Sequence, residues 1–158
     1  MRESDDRPVV ALMEGVWRQM KSQLNAIAHD LAPELRPSHV RLMTLTPAEG
    51  MRIGDLASRA RMTAQSLGEF LDTLSRTGYV EITASETDRR VKLVRPTPRG
   101  IELGAAMDRA ARALEARSRR RVGAREWEMF RDVLTNLETT LAAVQNSSSA
   151  ARPHGPVD

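Results

Sequence analysis

The residues best suited to chemistry lie in one polar stretch, residues 63–76, and their side chains favour hydrogen bonding over catalysis. Gln65 can pair bidentately with adenine, Ser66 can donate or accept, and Glu69 can accept from a cytosine amine. Thr63 is a suitable N-cap, and the free N–H groups of a first helical turn suit a phosphate. We expect this stretch to be a helix that contacts nucleic acid. The alternative interpretation is the solvated face of an ordinary amphipathic helix.

Positive charge is concentrated in two segments of this 158-residue chain, whose formal net charge is only +3. Residues 36–99 carry a net charge of +4 and residues 109–125 carry +6, while the remaining segments are negative. Of the 24 basic residues 22 are arginine, whose planar guanidinium binds phosphates and guanine edges in bidentate fashion. The second segment has two interpretations, contact with DNA or, as we favour, compensation of the dipole at a helix C-terminus. Its basic residues are Arg117, Arg119, Arg120, Arg121 and Arg125.

Several classes of function are excluded by residues that the sequence lacks. It has no cysteine, which removes disulfide scaffolds, thiolate zinc sites and cysteine nucleophiles. Its three histidines are not spaced as a helical metal pair, and no Gly-rich phosphate loop or nucleophile motif is present. We therefore expect neither catalysis nor a cofactor. No run approaches the roughly 20 apolar residues of a membrane span, and no signal peptide is evident, so we expect a soluble, cytoplasmic protein.

The spacing of apolar residues predicts that helices occupy most of the chain. A first helix is expected over about residues 8–32, ended by Pro33, and a second opens at Pro37. Two more follow, one around residues 53–60 and one that begins at Thr63 and ends at Gly78, which can adopt the left-handed conformation. Thr97 and Pro98 open a fifth helix toward Arg121, and Gly123 separates it from a sixth.

Between the fourth and fifth helices the apolar period changes from helical to alternating. Residues 79–83 and 90–95 alternate, and the polar residues 84–89 separate them. This indicates a two-stranded ribbon with an exposed tip. Short helices followed by such a ribbon predict a mainly α fold with a small β-ribbon, a winged helix-turn-helix domain flanked by long dimerisation helices.

Three motifs in this region carry a family resemblance. They are Leu-Ser-Arg-Thr-Gly-Tyr-Val at residues 74–80, Asp-Arg-Arg at 88–90 and Thr-Pro-Arg-Gly at 97–100. At these separations they resemble the MarR family of bacterial transcription regulators, in detail over residues 35–104. The flanking helices match the family in length and order only.

The resemblance implies roles for specific residues. Asp88 and Arg90 match the family's Asp-x-Arg, in which the carboxylate holds a guanidinium for insertion into the minor groove, with Arg89 and Lys92 on the neighbouring phosphates. The alternative interpretation is a turn carboxylate with solvated arginines. Together with the residues of the polar stretch described above, the predicted DNA-binding residues are Ser38, Thr63, Ala64, Gln65, Ser66, Glu69, Arg76, Asp88, Arg89, Arg90 and Lys92. The family also implies release by a small aromatic or phenolic ligand. The candidate ligand-binding residues, each of which has ordinary core packing as its alternative, are Trp17, Met20, His39 and Met43.

Two residues of the ribbon depart from the family pattern, and a third changes its charge. Ile82 stands where a basic residue is usual, Pro96 replaces a leucine, and Glu86 adds negative charge at the tip. Loss of the basic residue removes one expected phosphate contact, so we expect affinity or target preference to differ from a typical member.

The long flanking helices have apolar faces that a small winged domain cannot cover, so we expect a homodimer, with a closed monomeric bundle as the alternative. The expected organisation is an N-terminal dimerisation helix (1–34), the winged domain (35–99), C-terminal dimerisation helices (100–146) and a disordered tail (147–158). We expect a double-stranded DNA-binding regulator that recognises a pseudo-palindromic operator, most simply a repressor released by its ligand. The alternative function is a winged helical dimer that binds another protein, as an antirepressor does.

Overall fold

The computed structural model describes residues 6–85, 88 and 90–150, and for residues 144–150 the backbone alone. Six helices and three strands occupy this part of the chain. The helices are α1 (Val9–Leu31), α2 (Pro37–Leu45), α3 (Ile53–Ala60), α4 (Ala64–Arg76), α5 (Pro98–Val122) and α6 (Ala124–Ala150). The strands are β1 (Met51–Arg52), β2 (Val80–Ala84) and β3 (Lys92–Pro96). The mainly α fold class is thus confirmed.

The expected helix boundaries agree closely with the structure because capping residues and glycines mark the helix ends in the sequence. Thr63 caps α4, with its hydroxyl accepting a hydrogen bond from the Ser66 N–H at 3.2 Å. Gly78 follows α4 at φ 76°, and Gly123 separates α5 from α6 at φ 111°. The helix α6 continues to Ala150, so the expected tail boundary at Ser147 is four residues early. Residues 151–158 lie outside the described part of the chain.

The sheet contains one strand more than the expected two-stranded ribbon. Its order is β1-β3-β2, and both pairings are antiparallel. The strand β1 was missed because two residues are too short to show alternation. Ile82 and Met51 both pair with Val94, which is fully buried. The departure at Ile82 therefore places an apolar residue in a row of three across the sheet.

The chain divides into two compact units, residues 1–114 and residues 115–158. The core of the first unit is built around leucines of α3 and α4, together with Tyr79 and Val94. Ala28 and Ala32 from the end of α1 and Leu103 and Met107 from α5 belong to the same core. The winged region is therefore packed directly against the end of α1 and the first part of α5.

In the second unit the end of α5 lies against α6. Arg119 pairs with Glu128 at 3.2 Å, and Glu115 accepts from the indole N–H of Trp127 at 3.4 Å and pairs with Arg131. The rings of Trp127 and Phe130 are 5.9 Å apart. Arg119, Arg120 and Arg121 occupy the last turn of α5, where positive charge compensates the helix dipole.

Three helices carry large apolar side chains on their surfaces, α1 and α6 most of them. On α1 these are Val9, Val10, Met13, Val16, Trp17 and Leu31, on α5 they are Ile101 and Val122, and on α6 they are Met129, Phe130, Val133, Leu137 and Leu141. Within the described residues, no helix is both long enough and apolar enough to cross a membrane.

Candidate nucleic-acid interface

The helix α4 presents a polar face opposite its buried one. Leu67, Leu71 and Leu74 are buried, which fixes the rotation of the helix, and Phe70 is half-buried beside them. The predicted contact residues lie on the other side, with Gln65, Glu69 and Arg76 exposed and Ser66 half-buried. Because three buried leucines fix the rotation of α4, its polar side chains keep one orientation toward a bound partner.

The N-terminus of α4 adds backbone donors to this face. Ala64 and Gln65 stand in the first turn, where peptide N–H groups have no partner within the helix. Thr63 and Ala64 are both exposed. Because the Thr63 oxygen already accepts from Ser66, its hydroxyl proton can be donated outward. This end of α4 therefore combines donors with the positive end of a helix dipole.

The tip of the β2–β3 ribbon is organised by Asp88. Its carboxylate accepts a hydrogen bond from the backbone N–H of Arg90 at 2.9 Å, and its carbonyl accepts from the Val91 N–H at 2.9 Å. The family pattern had implied that Asp88 holds the guanidinium of Arg90; the structure instead shows it holding the peptide. Asp88 thus shapes the turn, and Arg90 is exposed at its end.

The other predicted DNA contacts are placed as follows. Ser38 is exposed in the first turn of α2, and Lys92 is exposed at the start of β3. Glu81 pairs with Arg95 across the ribbon, so that opposite charges lie on paired positions. Arg89 and Glu86 lie outside the described residues.

The four candidate ligand residues do not share one environment. Trp17 is 61% exposed, Met20 is half-buried, and His39 and Met43 belong to the buried set. The ring of His39 lies 4.9 Å from that of Phe70, and its Nδ1 accepts from the Arg36 N–H at 3.1 Å. Burial, together with the charge of Arg36, lowers the pKa of His39 below its usual value, so the ring is neutral at pH 7. No group of side chains in the described part of the chain is arranged to hold a metal ion.

Two features escaped the sequence reasoning. Arg61 ends α3 at φ 54°, and it is the one non-glycine residue with positive φ among those that the structure describes. It is exposed and lies two residues before the cap of α4. The basic type of Arg61 was visible in the sequence, whereas its strained backbone was not.

The second is a polar cluster at the base of the ribbon, formed by Glu34, Tyr79 and Arg99. The Tyr79 hydroxyl donates to Glu34 at 2.8 Å, and Arg99 pairs with the same carboxylate at 2.5 Å. The guanidinium also lies 4.2 Å from the centre of the Tyr79 ring. A backbone hydrogen bond of Glu34 and the hydrogen bond from Tyr79 lower the pKa of Glu34, while burial raises the pKa of Tyr79.

Comparison with known proteins finds similar transcription regulators. Residues 36–92 match the model of the MarR family. The chain is 28% identical over 134 residues to the HTH-type transcriptional repressor Rv2887 of Mycobacterium tuberculosis, covering 85% of this chain and 96% of that protein. A repressor of Mycobacterium bovis, Mb2911, matches equally.

Solved structures share the fold. Streptococcus pneumoniae FabT in complex with DNA matches with a TM-score of 0.73 at 19% identity, over 87% of this chain and 99% of that one. MepR, described as a transcription regulator of the Staphylococcus aureus multidrug efflux pump MepA, matches with a TM-score of 0.69 at 17% identity, over 85% and 99% of the two chains.

Proposed function

We propose that the chain is a member of the MarR family, whose model matches its winged helix-turn-helix region, residues 36–92, and that it is a sequence-specific, double-stranded DNA-binding transcriptional repressor. Its activity is binding, not catalysis, and its place of action is the cytoplasm. The observation that carries the proposal is the polar face of α4, fixed by Leu67, Leu71 and Leu74 and followed directly by a ribbon on which Arg90 and Lys92 are exposed.

In this proposal α4 is the recognition helix. Gln65, Ser66 and Glu69 contact base edges in the major groove, and Thr63, Ala64 and Arg76 contact or steer the phosphates. Ser38, at the start of α2, contributes a further phosphate contact. We assign base contacts to exposed or half-buried residues near the N-terminus of α4, because that end of a docked helix reaches the bases.

The ribbon supplies the second contact. Arg90 enters the minor groove while Asp88 holds the turn beneath it, and Arg89 and Lys92 bind the flanking phosphates. A turn fixed by the Asp88–Arg90 hydrogen bond limits the positions that the arginine can adopt, which lowers the entropy lost on binding. Ile82 contributes apolar pairing and no phosphate contact, so we expect one ionic contact fewer in each subunit than in a typical member.

The working unit that we propose is a homodimer. Large apolar side chains are exposed on α1 and α6, and contiguous exposed apolar surface of this kind marks an interaction site. Those of α1 include Val9, Val10, Met13, Val16 and Trp17. A two-fold dimer through these helices would present two copies of α4 about 34 Å apart, one turn of DNA, to the halves of a pseudo-palindrome.

We propose further that a small aromatic or phenolic ligand releases the DNA. Trp17 and Met20 on α1 offer accessible apolar surface for it. His39 and Met43 are buried, so they would respond to the ligand through packing. The protein-interaction alternative has no feature in its favour that the DNA-binding proposal does not explain as well.

Fluorescence anisotropy with the wild-type protein, Gln65→Ala and Arg90→Ala tests these roles. On a duplex selected by the wild type from a random pool, we expect Gln65→Ala to lose about 1–3 kcal/mol and to relax specificity at one position in each half-site. We expect Arg90→Ala to weaken binding and to reduce the slope of log affinity against log salt by about 1 per subunit. If neither variant changes affinity while the wild type binds, these contacts are misassigned. If the wild type selects no sequence, the proposed function is wrong.

A further inference from the structure

The base of the ribbon joins four elements of the first unit through one small set of contacts. Glu34 lies in the loop between α1 and α2, Tyr79 immediately precedes β2, and Arg99 is the second residue of α5. The carboxylate of Glu34 contacts both other side chains. The other nitrogen of Arg99 donates to the carbonyl of Thr77, the residue that ends α4, at 2.7 Å.

Backbone contacts tie the same place together. Thr97 donates its hydroxyl proton to the carbonyl of Gly78 at 2.7 Å and its N–H to the carbonyl of Tyr79 at 3.0 Å. Its hydroxyl oxygen also caps α5 by accepting from the Gly100 N–H at 3.2 Å. A side chain on Gly100 would collide with the Tyr79 carbonyl and approach the Met43 methyl to 2.8 Å. The first turn of α5 is thus seated directly on residues 77–79.

In the proposed function, the DNA-contacting elements must keep a fixed orientation relative to the long helices, and these contacts lie between the two. On one side are α4 and the ribbon, which contact DNA in that proposal. On the other are α1 and α5, of which α1 carries an exposed apolar face. None of the three side chains is among the DNA contacts, and Tyr79 is 2% exposed.

We propose that the Glu34–Tyr79–Arg99 cluster is a positioning element that fixes the direction of α4 relative to α1 and α5, and thereby sets which half-site spacing the dimer accepts. The inference rests on the proposed function. Glu34 is the central residue because its single carboxylate oxygen receives both the Tyr79 hydroxyl and the Arg99 guanidinium. Without that charge, Tyr79 before β2 and Arg99 at the start of α5 lose their shared partner in the loop before α2, and α4 gains freedom of direction.

The test compares Glu34→Gln, Tyr79→Phe and Arg99→Lys with wild type, all as the full chain. Glu14→Gln and Arg112→Lys are the matched controls, because each changes an exposed ion pair between residues four apart on one helix. The probe is a duplex that the wild type selects from a random pool, together with derivatives that carry one to four extra base pairs between the half-sites. Circular dichroism and sedimentation establish that each variant is folded and dimeric.

Wild type and both controls should prefer the selected spacing strongly. Glu34→Gln should weaken binding to the selected duplex by about tenfold and to the respaced duplexes by less than about twofold, a coupling within the range of known linked sites. Arg99→Lys, which keeps the charge, should retain part of the preference. Equal weakening on every duplex, or an unchanged spacing preference in all three variants, would overturn the inference while leaving the proposed function intact. Failure of the wild type to select any duplex would overturn both.

Discussion

The hydroxyl of Tyr79 donates a hydrogen bond to the carboxylate of Glu34 at 2.8 Å, although the two residues are 45 positions apart in the chain. The same tyrosine ring lies under the guanidinium of Arg99. Tyr79 and Thr97, which belong to two of the family motifs, therefore have a structural part: they join helices to the ribbon and are not among the proposed DNA contacts.

Removal of the Tyr79 hydroxyl should measurably destabilise the fold. In Tyr79→Phe the ring remains but the carboxylate of Glu34 loses a donor. We expect the free energy of unfolding to fall by about 1 kcal/mol, less than the roughly 1.5–3 kcal/mol of a buried bond to a charged group, because Glu34 is partly exposed and solvent screens its charge. Urea unfolding at pH 7 and fixed protein concentration measures it. An unchanged unfolding midpoint would mean that the bond contributes nothing.

Two glycines of α5 should respond oppositely to the same substitution. Gly100→Ala places a methyl group against the Tyr79 carbonyl, so we expect a loss of about 2 kcal/mol or more. Gly104 has open space around the same position, and Gly104→Ala should stabilise the helix by about 0.5–1 kcal/mol. Thermal unfolding of the two variants gives the comparison, and equal effects would contradict the close contact at Gly100.

Mild acid should weaken the fold through His39. Because the pKa of His39 is lowered in the folded protein, the unfolded chain binds more protons as the pH falls below about 6.5. The contribution of the neutral ring is fully present above that pH and is lost as the pH falls through the folded pKa. Protonation of Nδ1 also removes the acceptor for the Arg36 N–H.

The unfolding free energy measured between pH 7.5 and pH 5 should therefore decline in the wild type. His39→Gln, which does not titrate, should show a flatter profile over the same range. Parallel profiles for the two proteins would show that His39 is not the responsible group.

Arg61 should show opposite effects on folding and on binding. A non-glycine residue in the left-handed region costs about 1 kcal/mol, so Arg61→Gly should stabilise the fold by about that amount. Because Arg61 is exposed and lies two residues before the cap of α4, we expect it to contact a phosphate, so the same variant should bind the selected duplex more weakly and with a shallower salt dependence. Arg59→Ala, an exposed arginine in the last turn of α3, is the control. A variant that is more stable and binds DNA equally well would remove Arg61 from the interface.

The sequence predicted those elements whose signals are local. Helix α4 was bounded correctly because Thr63 and Gly78 act on their immediate neighbours. Strand β1 gave no pattern, since Met51 and Arg52 are too few to alternate. The turn at Asp88 was located, but whether its carboxylate would hold the side chain or the peptide of Arg90 depends on backbone geometry that residue types do not encode.

Long-range contacts were beyond the sequence. Glu34 has the appearance of any acidic loop residue, and its partners lie 45 and 65 positions away. His39 and Met43 were selected as ligand candidates for their chemistry, yet the structure buries both, because α2 packs against α1 and α3. The exposure of a side chain depends on which elements pack against its helix. The apolar periodicity shows which face of one helix is buried, but not which other elements lie against it.

Sequence-specific binding of double-stranded DNA can be measured on the purified protein itself. Fluorescence anisotropy compares the purified protein on the duplex from upstream of its own coding sequence with a scrambled duplex across a salt series, with Arg90→Ala as control. We predict a preference of about a thousandfold or more and a steep salt slope that flattens in the variant. Weak binding, equal on both duplexes and unaffected by Arg90→Ala, would contradict sequence-specific binding.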